Sequence, residues 1–167
     1  RGVRPAAGGP PAVTGPAGPR EPTAAGPYHS DPMYELIVQR VFSAAHAIVI
    51  AGEREPVHGH DWRVRATVAG PELDRDGLLC DFHALERSLD AILEPFRSAD
   101  LNATPPFDAV NPTAEAVARH IADALAGDLP PGVRVASVAV TEAPGCEAVY
   151  RPGAPAPHPA AAPTPGH

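Results

Sequence analysis

The sequence predicts an α+β domain: an antiparallel β-sheet with two helices packed on one face, in the order β-β-α-α-β-β. Three observations predict it. Two stretches before residue 70 carry the period-two alternation of half-buried strands. Two stretches between residues 81 and 126 repeat apolar residues at the three- and four-residue spacing of amphipathic helices. Two further strand-like stretches follow.

Tyr34 to Phe42 (YELIVQRVF) alternates in part and is rich in β-formers, so it reads as the first strand, with Ile48 to Ile50 continuing the pairing after a kink. Trp62 to Val68 alternates cleanly, with Trp62, Val64, Ala66 and Val68 on one face and Arg63, Arg65 and Thr67 on the other. After the polar turn PELDRDG, Asp81 is the expected N-cap of FHALERSLDAILEPF. Phe82, Leu85, Leu89, Ile92, Leu93 and Phe96 make that helix's apolar face. The second helix is expected to start at Asn111-Pro112, with Asn as N-cap and Pro at the first position. Its inner face is Ala114, Val117, Ala118, Ile121 and Leu125, and Gly127 stands at its C-cap. Val133 to Thr141 reads as a third strand and Ala148 to Arg151 as a short fourth.

Composition frames this domain. The chain has 23 prolines and 15 glycines in 167 residues, a level close to that of disordered chains. Eight of the prolines fall in residues 1–32 and six in 152–167, where large apolar residues are almost absent. Both segments are expected to be disordered tails around one domain at 33–151. The only methionine, Met33, directly precedes the first strand, so residues 1–32 read either as an extension ahead of a natural start at Met33 or as a linker from a longer product. Net charge is −7, and residues 33–151 set ten Arg against eighteen Asp and Glu, with no basic cluster. That balance argues against a nucleic-acid partner. No apolar run approaches the ~20 residues of a membrane-spanning helix. Cys80 and Cys146 read as two reduced thiols in a cytoplasmic setting.

Chemistry concentrates in three histidines. His46 closes the first strand's phrase FSAAH, and His58-Gly59-His60 directly precedes Trp62. On an extended backbone His58 and His60 point the same way, and strand pairing can bring His46 to them. Three neutral imidazoles around an open position form a catalytic zinc pattern, although ordinary surface histidines would leave the same trace in the sequence. His83 and His120 read as helix residues without a site role.

At this point the residues resemble a known family, 6-pyruvoyltetrahydropterin synthase and its bacterial relative 6-carboxytetrahydropterin synthase. The matching phrases are FSAAH (42–46), HGHDW (58–62), GLLCDF (77–82), DLN (100–102), NPTAE (111–115) and TEAPGCEAVYR (141–151). The resemblance implies a T-fold, zinc (Zn2+) on His46, His58 and His60, a small-molecule pterin substrate, and a homo-oligomer, hexameric in this family, with sites at subunit interfaces. It implies that Glu142 anchors the pterin, since a carboxylate can accept two parallel N–H bonds from a guanidine-like edge. It also implies that Thr113 and Glu115 help to form the pocket; helix-start chemistry is the competing reading for both.

Two departures stand out. The family's cysteine, four residues before the first His of HGH, is Arg54 here, and its Asp-His pair ahead of Leu-Asn is Arg97-Ser98. Three readings follow. A lyase acts on 7,8-dihydroneopterin triphosphate with Glu55, or Glu53, as base and Arg54 holding the triphosphate; one branch of the family uses such a glutamate to cleave the side chain to 6-hydroxymethyldihydropterin. Alternatively the domain works on another pterin or purine-like molecule. In the third reading it binds zinc and a pterin without catalysis.

Overall fold

The computed structural model describes residues 33–153. The expected tails lie outside the described residues, apart from Pro152 and Gly153, which have no regular structure. The elements run β1 (Tyr34–His46), β2 (Val49–Ile50), β3 (Glu53–Arg54), β4 (His58–Gly70), α1 (Phe82–Leu93), β5 (Ala99–Asp100), α2 (Ala114–Ala126), β6 (Arg134–Ala143) and β7 (Cys146–Tyr150). The main sheet has the order β5-β1-β4-β6-β7. All of its pairings are antiparallel except the two-residue β1–β5 contact.

Both long strands reach further than their alternation suggests. β1 continues to His46 and β4 begins at His58, so the two pair from Tyr34 opposite Gly70 to His46 opposite His58. Polar residues at the hairpin's end hide this continuation from a reading based on apolar alternation. Ile48 to Ile50 does not extend the pairing. A turn with both central residues in the left-handed region, Ala51 (φ 52°) and Gly52 (φ 86°), folds Val49–Ile50 back on Glu53–Arg54.

One face of the sheet carries the core. Val38, Phe42 and Ala44 of β1, Trp62, Val64, Ala66 and Val68 of β4, and Val135, Val138 and Val140 of β6 are all buried. The helices close this face with Leu85, Leu89 and Leu93 of α1 and Val117, Ala118, Ile121 and Leu125 of α2. Asp81 caps α1 by accepting from His83 N at 2.9 Å. Phe82 stays half exposed, because the buried stripe is the four-residue series that starts at Leu85. Pro95 follows α1, and Phe96 enters the core from a single 3-10 turn instead.

The N-cap of α2 differs from the expectation. It is Thr113, whose Oγ1 accepts from Ala116 N, and the helix begins at Ala114. Asn111 is drawn elsewhere: its amide accepts from Val49 N at 2.9 Å and donates to Val49 O at 3.0 Å.

Candidate functional site

The alternation that buries Trp62, Val64, Ala66 and Val68 also turns His60 and His58 to the helix face. On β1 the series Phe42, Ala44, His46 does the same. Register then sets His46 opposite His58 and Ala44 opposite His60, so three imidazoles close the end of the core. Two of them rest on Trp62, whose ring centroid lies 4.7 Å from that of His46 and 4.6 Å from that of His60.

The imidazole Nε2 atoms face each other. His46 Nε2 is 3.2 Å from His58 Nε2 and 3.1 Å from His60 Nε2. His46 is fully buried, and its Nδ1 lies 2.9 Å from Pro112 O, just ahead of α2. His58 Nδ1 lies 3.1 Å from Pro56 O. A carbonyl can only accept, so each of these Nδ1 atoms donates and each Nε2 presents a lone pair in the neutral ring. Burial, reinforced by neighbouring His46, holds the His60 imidazole below its ordinary pKa and therefore neutral. His60 Nδ1 is buried without a partner.

Lone pairs facing one another at such distances repel unless a cation lies between them. Tetrahedral ligands about 2.0–2.1 Å from zinc stand roughly 3.3–3.4 Å apart, close to the observed separations. Glu142 joins the group: its Oε1 is 3.1 Å from His46 Nε2 and 3.8 Å from His60 Nε2. The four ligand atoms lie within 4.8 Å of one another, so this donor set can hold a metal ion.

The other site residues named from the sequence are distributed around this cluster. Glu55 follows β3, and its Oε1 accepts from Ile48 N at 3.1 Å and lies 3.7 Å from His58 Nδ1. Arg54 is exposed on β3 and has no ion pair among the described residues. Thr113 stands beside Pro112, whose carbonyl orients His46. Glu115, in the first turn of α2, is exposed and lines a separate cavity with Phe107, Arg119 and Tyr150, away from the imidazoles. Cys146 is exposed at the start of β7; Cys80 is half-buried against the core, where burial pushes its thiol pKa up.

Two asparagines to which the sequence reading gave no site role hold the segment that leaves His46. Asn102 accepts from Ala47 N at 2.7 Å and donates to Ala47 O at 2.9 Å. Asn111 makes the same two bonds to Val49. Between them, Ile48 bonds Glu55 through both its N–H and its carbonyl. The backbone groups of Ala47, Ile48 and Val49 are thus satisfied, although Ala47 and Ile48 lie outside every strand. The sequence signal was a pair of asparagines, in DLN and NPTAE, and a polar-free run, Ala47 to Ile50, whose backbone groups they meet.

Comparison with known proteins gives a consistent result. The sequence model of the family described as 6-pyruvoyl tetrahydropterin synthase matches residues 35–153. The chain is 35 % identical over 137 residues to the 6-carboxy-5,6,7,8-tetrahydropterin synthase of Bacillus subtilis (strain 168), a match covering 78 % of this chain and 91 % of that protein. The 6-pyruvoyl tetrahydropterin synthase structure from Caenorhabditis elegans superposes with a TM-score of 0.64 at 20 % identity, covering 73 % of this chain and 97 % of that one. A Plasmodium vivax 6-pyruvoyltetrahydropterin synthase, in a form with a catalytic glutamate replaced by alanine, gives 0.61 at 18 % identity, covering 74 % and 100 %. These structural matches establish the T-fold.

Proposed function

Because the chain belongs to the 6-pyruvoyl tetrahydropterin synthase family, we propose that it is a zinc-dependent lyase acting on 7,8-dihydroneopterin triphosphate or a related pterin. The observation that carries this reading is the convergence of three imidazole Nε2 atoms, two of them with the opposite nitrogen engaged on a carbonyl.

His46, His58 and His60 would hold the zinc. When bound, zinc polarises the substrate's hydroxyl or carbonyl and lowers the pKa of the group it holds. The Pro112 and Pro56 carbonyls fix the tautomers of His46 and His58. With the His46 proton committed to Pro112, Nε2 offers Glu142 none to accept, so the carboxylate remains available to a pterin's 2-amino and N3 donors. Thr113, next to Pro112, extends the pocket in this reading, Glu115 joins it by family resemblance alone, and Arg54, without an ion pair among the described residues, holds the triphosphate. Glu55 is the general base: its Oε1 is fixed by Ile48 N–H, which leaves Oε2 for proton transfer beside His58. The active form is a homo-oligomer, a hexamer by family resemblance.

A second reading, side-chain cleavage to 6-hydroxymethyldihydropterin, is favoured by the same carboxylate. Glu55 is held next to a ligand histidine, and the Plasmodium vivax relative is itself described with a catalytic glutamate.

Incubation of the zinc-loaded chain with dihydroneopterin triphosphate, followed by mass spectrometry, tests both. Acetaldehyde release is the expected sign of 6-carboxytetrahydropterin-type chemistry. Hydroxymethyldihydropterin with a glycolaldehyde-type fragment selects the second reading. Pterin binding without any product overturns both and leaves a zinc- and pterin-binding protein.

A further inference from the structure

The arginines divide into two groups. Among the described residues Arg40, Arg75, Arg87, Arg97 and Arg119 are ion-paired with carboxylates. Arg54, Arg63, Arg65, Arg134 and Arg151 are not, although eighteen Asp and Glu lie in the same 119 residues. Three of these unpaired side chains, Arg65, Arg134 and Arg151, line one cavity of about 450 Å³.

That cavity is on the sheet face turned away from the helices. In β4 the even positions from Trp62 to Val68 enter the core, which sends Arg65 and Thr67 to the other side. Thr67 pairs with Ser137 of β6, and Ala69, two residues on, pairs with Arg134. Tyr150 of β7 pairs with Val138, which brings the next residue, Arg151, beside Ser137. The result is a shallow pit whose lining includes Thr67, Ser137 and all three arginines, one from β4, one from β6 and one just past β7. Its one carboxylate, Glu35, has no ion pair with any of them. Seven residues separate Thr67 from His60 along β4, about 23 Å of strand, so this pit is distinct from the imidazole cluster.

Three like charges gathered on a rigid sheet repel each other, and a multiply charged anion relieves that repulsion. Guanidinium forks match phosphate oxygens two at a time, and hydroxyls can donate to the same group. We propose that Arg65, Arg134 and Arg151, with Thr67 and Ser137, form a second ligand site, separate from the imidazole cluster, that takes a small polyphosphate anion: a free or esterified di- or triphosphate.

The test is calorimetric titration of the full chain with sodium tripolyphosphate at low and at physiological salt. Binding is expected, weakening as salt rises. Arg134→Gln and Arg151→Gln should each reduce affinity at least about tenfold, the loss of one charge-assisted pair. Glu35→Gln should tighten binding several-fold, a gain that misfolding cannot produce. Free triphosphate is distinguished from an esterified one by repeating the titration with a nucleoside triphosphate. A tighter response to either still supports the site, provided that the arginine variants weaken it. Equal affinity in the native chain and both arginine variants overturns the proposal. So does affinity lost in Arg54→Gln but kept in Arg134→Gln, which would put the anion beside the imidazoles. Binding of single-stranded RNA in preference to tripolyphosphate would also overturn it.

Discussion

Replacing Asn102 by alanine tests whether the site depends on the clamp behind it. The side chain accepts from Ala47 N at 2.7 Å and donates to Ala47 O at 2.9 Å, and Ala47 is 1 % exposed. Asn102→Ala therefore removes two hydrogen bonds and strands two backbone groups where water does not reach them. Each buried group left unpaired costs about 1–3 kcal/mol, and partial relaxation brings the expected loss to roughly 2–4 kcal/mol. For a domain of this size that is a fall on the order of 10 °C in Tm. Urea unfolding reads the stability directly. Chelator competition reads the second consequence: Ala47 follows His46, so loosening it misplaces one ligand, and zinc affinity should drop about 10–100-fold, as for other losses of ligand support. Asn102→Asp separates the two bonds, since it keeps an acceptor for Ala47 N while setting a second carboxylate oxygen against Ala47 O. A variant Asn102→Ala within about 0.5 kcal/mol of the native chain, with unchanged zinc affinity, refutes this account of residues 47–49.

Other perturbations reach the site and its surroundings separately. His58→Ala should lose bound zinc on metal analysis, and stoichiometric retention would exclude it from the ligand set. Glu55→Gln keeps an acceptor for Ile48 N but removes the base, so turnover should fall about 10²–10⁴-fold with stability nearly unchanged; undiminished turnover removes Glu55 from the chemistry. His120 packs edge-on against Phe96 and Phe107, and burial holds its pKa below the ordinary 6.5. The unfolded chain then binds more protons, so stability falls as pH drops through about 6.5 and stops falling below the depressed folded value. His120→Gln should lose less stability than the native chain between pH 7 and pH 5.5, measured by urea midpoint; equal losses would mean that His120 does not contribute.

The strands and helices were legible because each buries one face and keeps the other wet. Leu85, Leu89 and Leu93 announce α1, and Trp62 to Val68 announce β4. The ends were less legible. β1 runs on to His46 and β4 starts at His58 because backbone pairing holds there after the apolar side chains give out. Asn111 reads as a helix cap from its neighbour Pro112, yet two bonds to Val49 claim its amide and Thr113 caps instead. Such a choice depends on a contact 62 residues away, which no local pattern encodes. The histidine site was legible for the opposite reason. His58 and His60 share a face by strand geometry alone, and only His46 needed the hairpin register.

The departures at Arg97 and Ser98 acquire a structural meaning. Arg97 bonds Asp90 at 3.0 Å and Glu94 at 3.2 Å and donates to Val41 O at 3.3 Å, so it ties the end of α1 to β1. Ser98 adopts a left-handed φ of 57° and donates its N–H to Ser43 O at 2.6 Å, which sets up the pairing of β5 with β1. Where the family resemblance leads one to expect an Asp-His pair for proton transfer, these residues serve as fasteners. A guanidinium held by two carboxylates cannot act as a base. Ser98 lines a cavity with His60, Asp61 and Asp100, where Asp61 accepts from Ser43 Oγ and Asp100 from Asn102 N. Among the described residues the carboxylates within 4 Å of an imidazole of the cluster are Glu142 and Glu55. Under the proposed function Glu142, which faces His46, takes the pterin edge, and proton transfer falls to Glu55 beside His58.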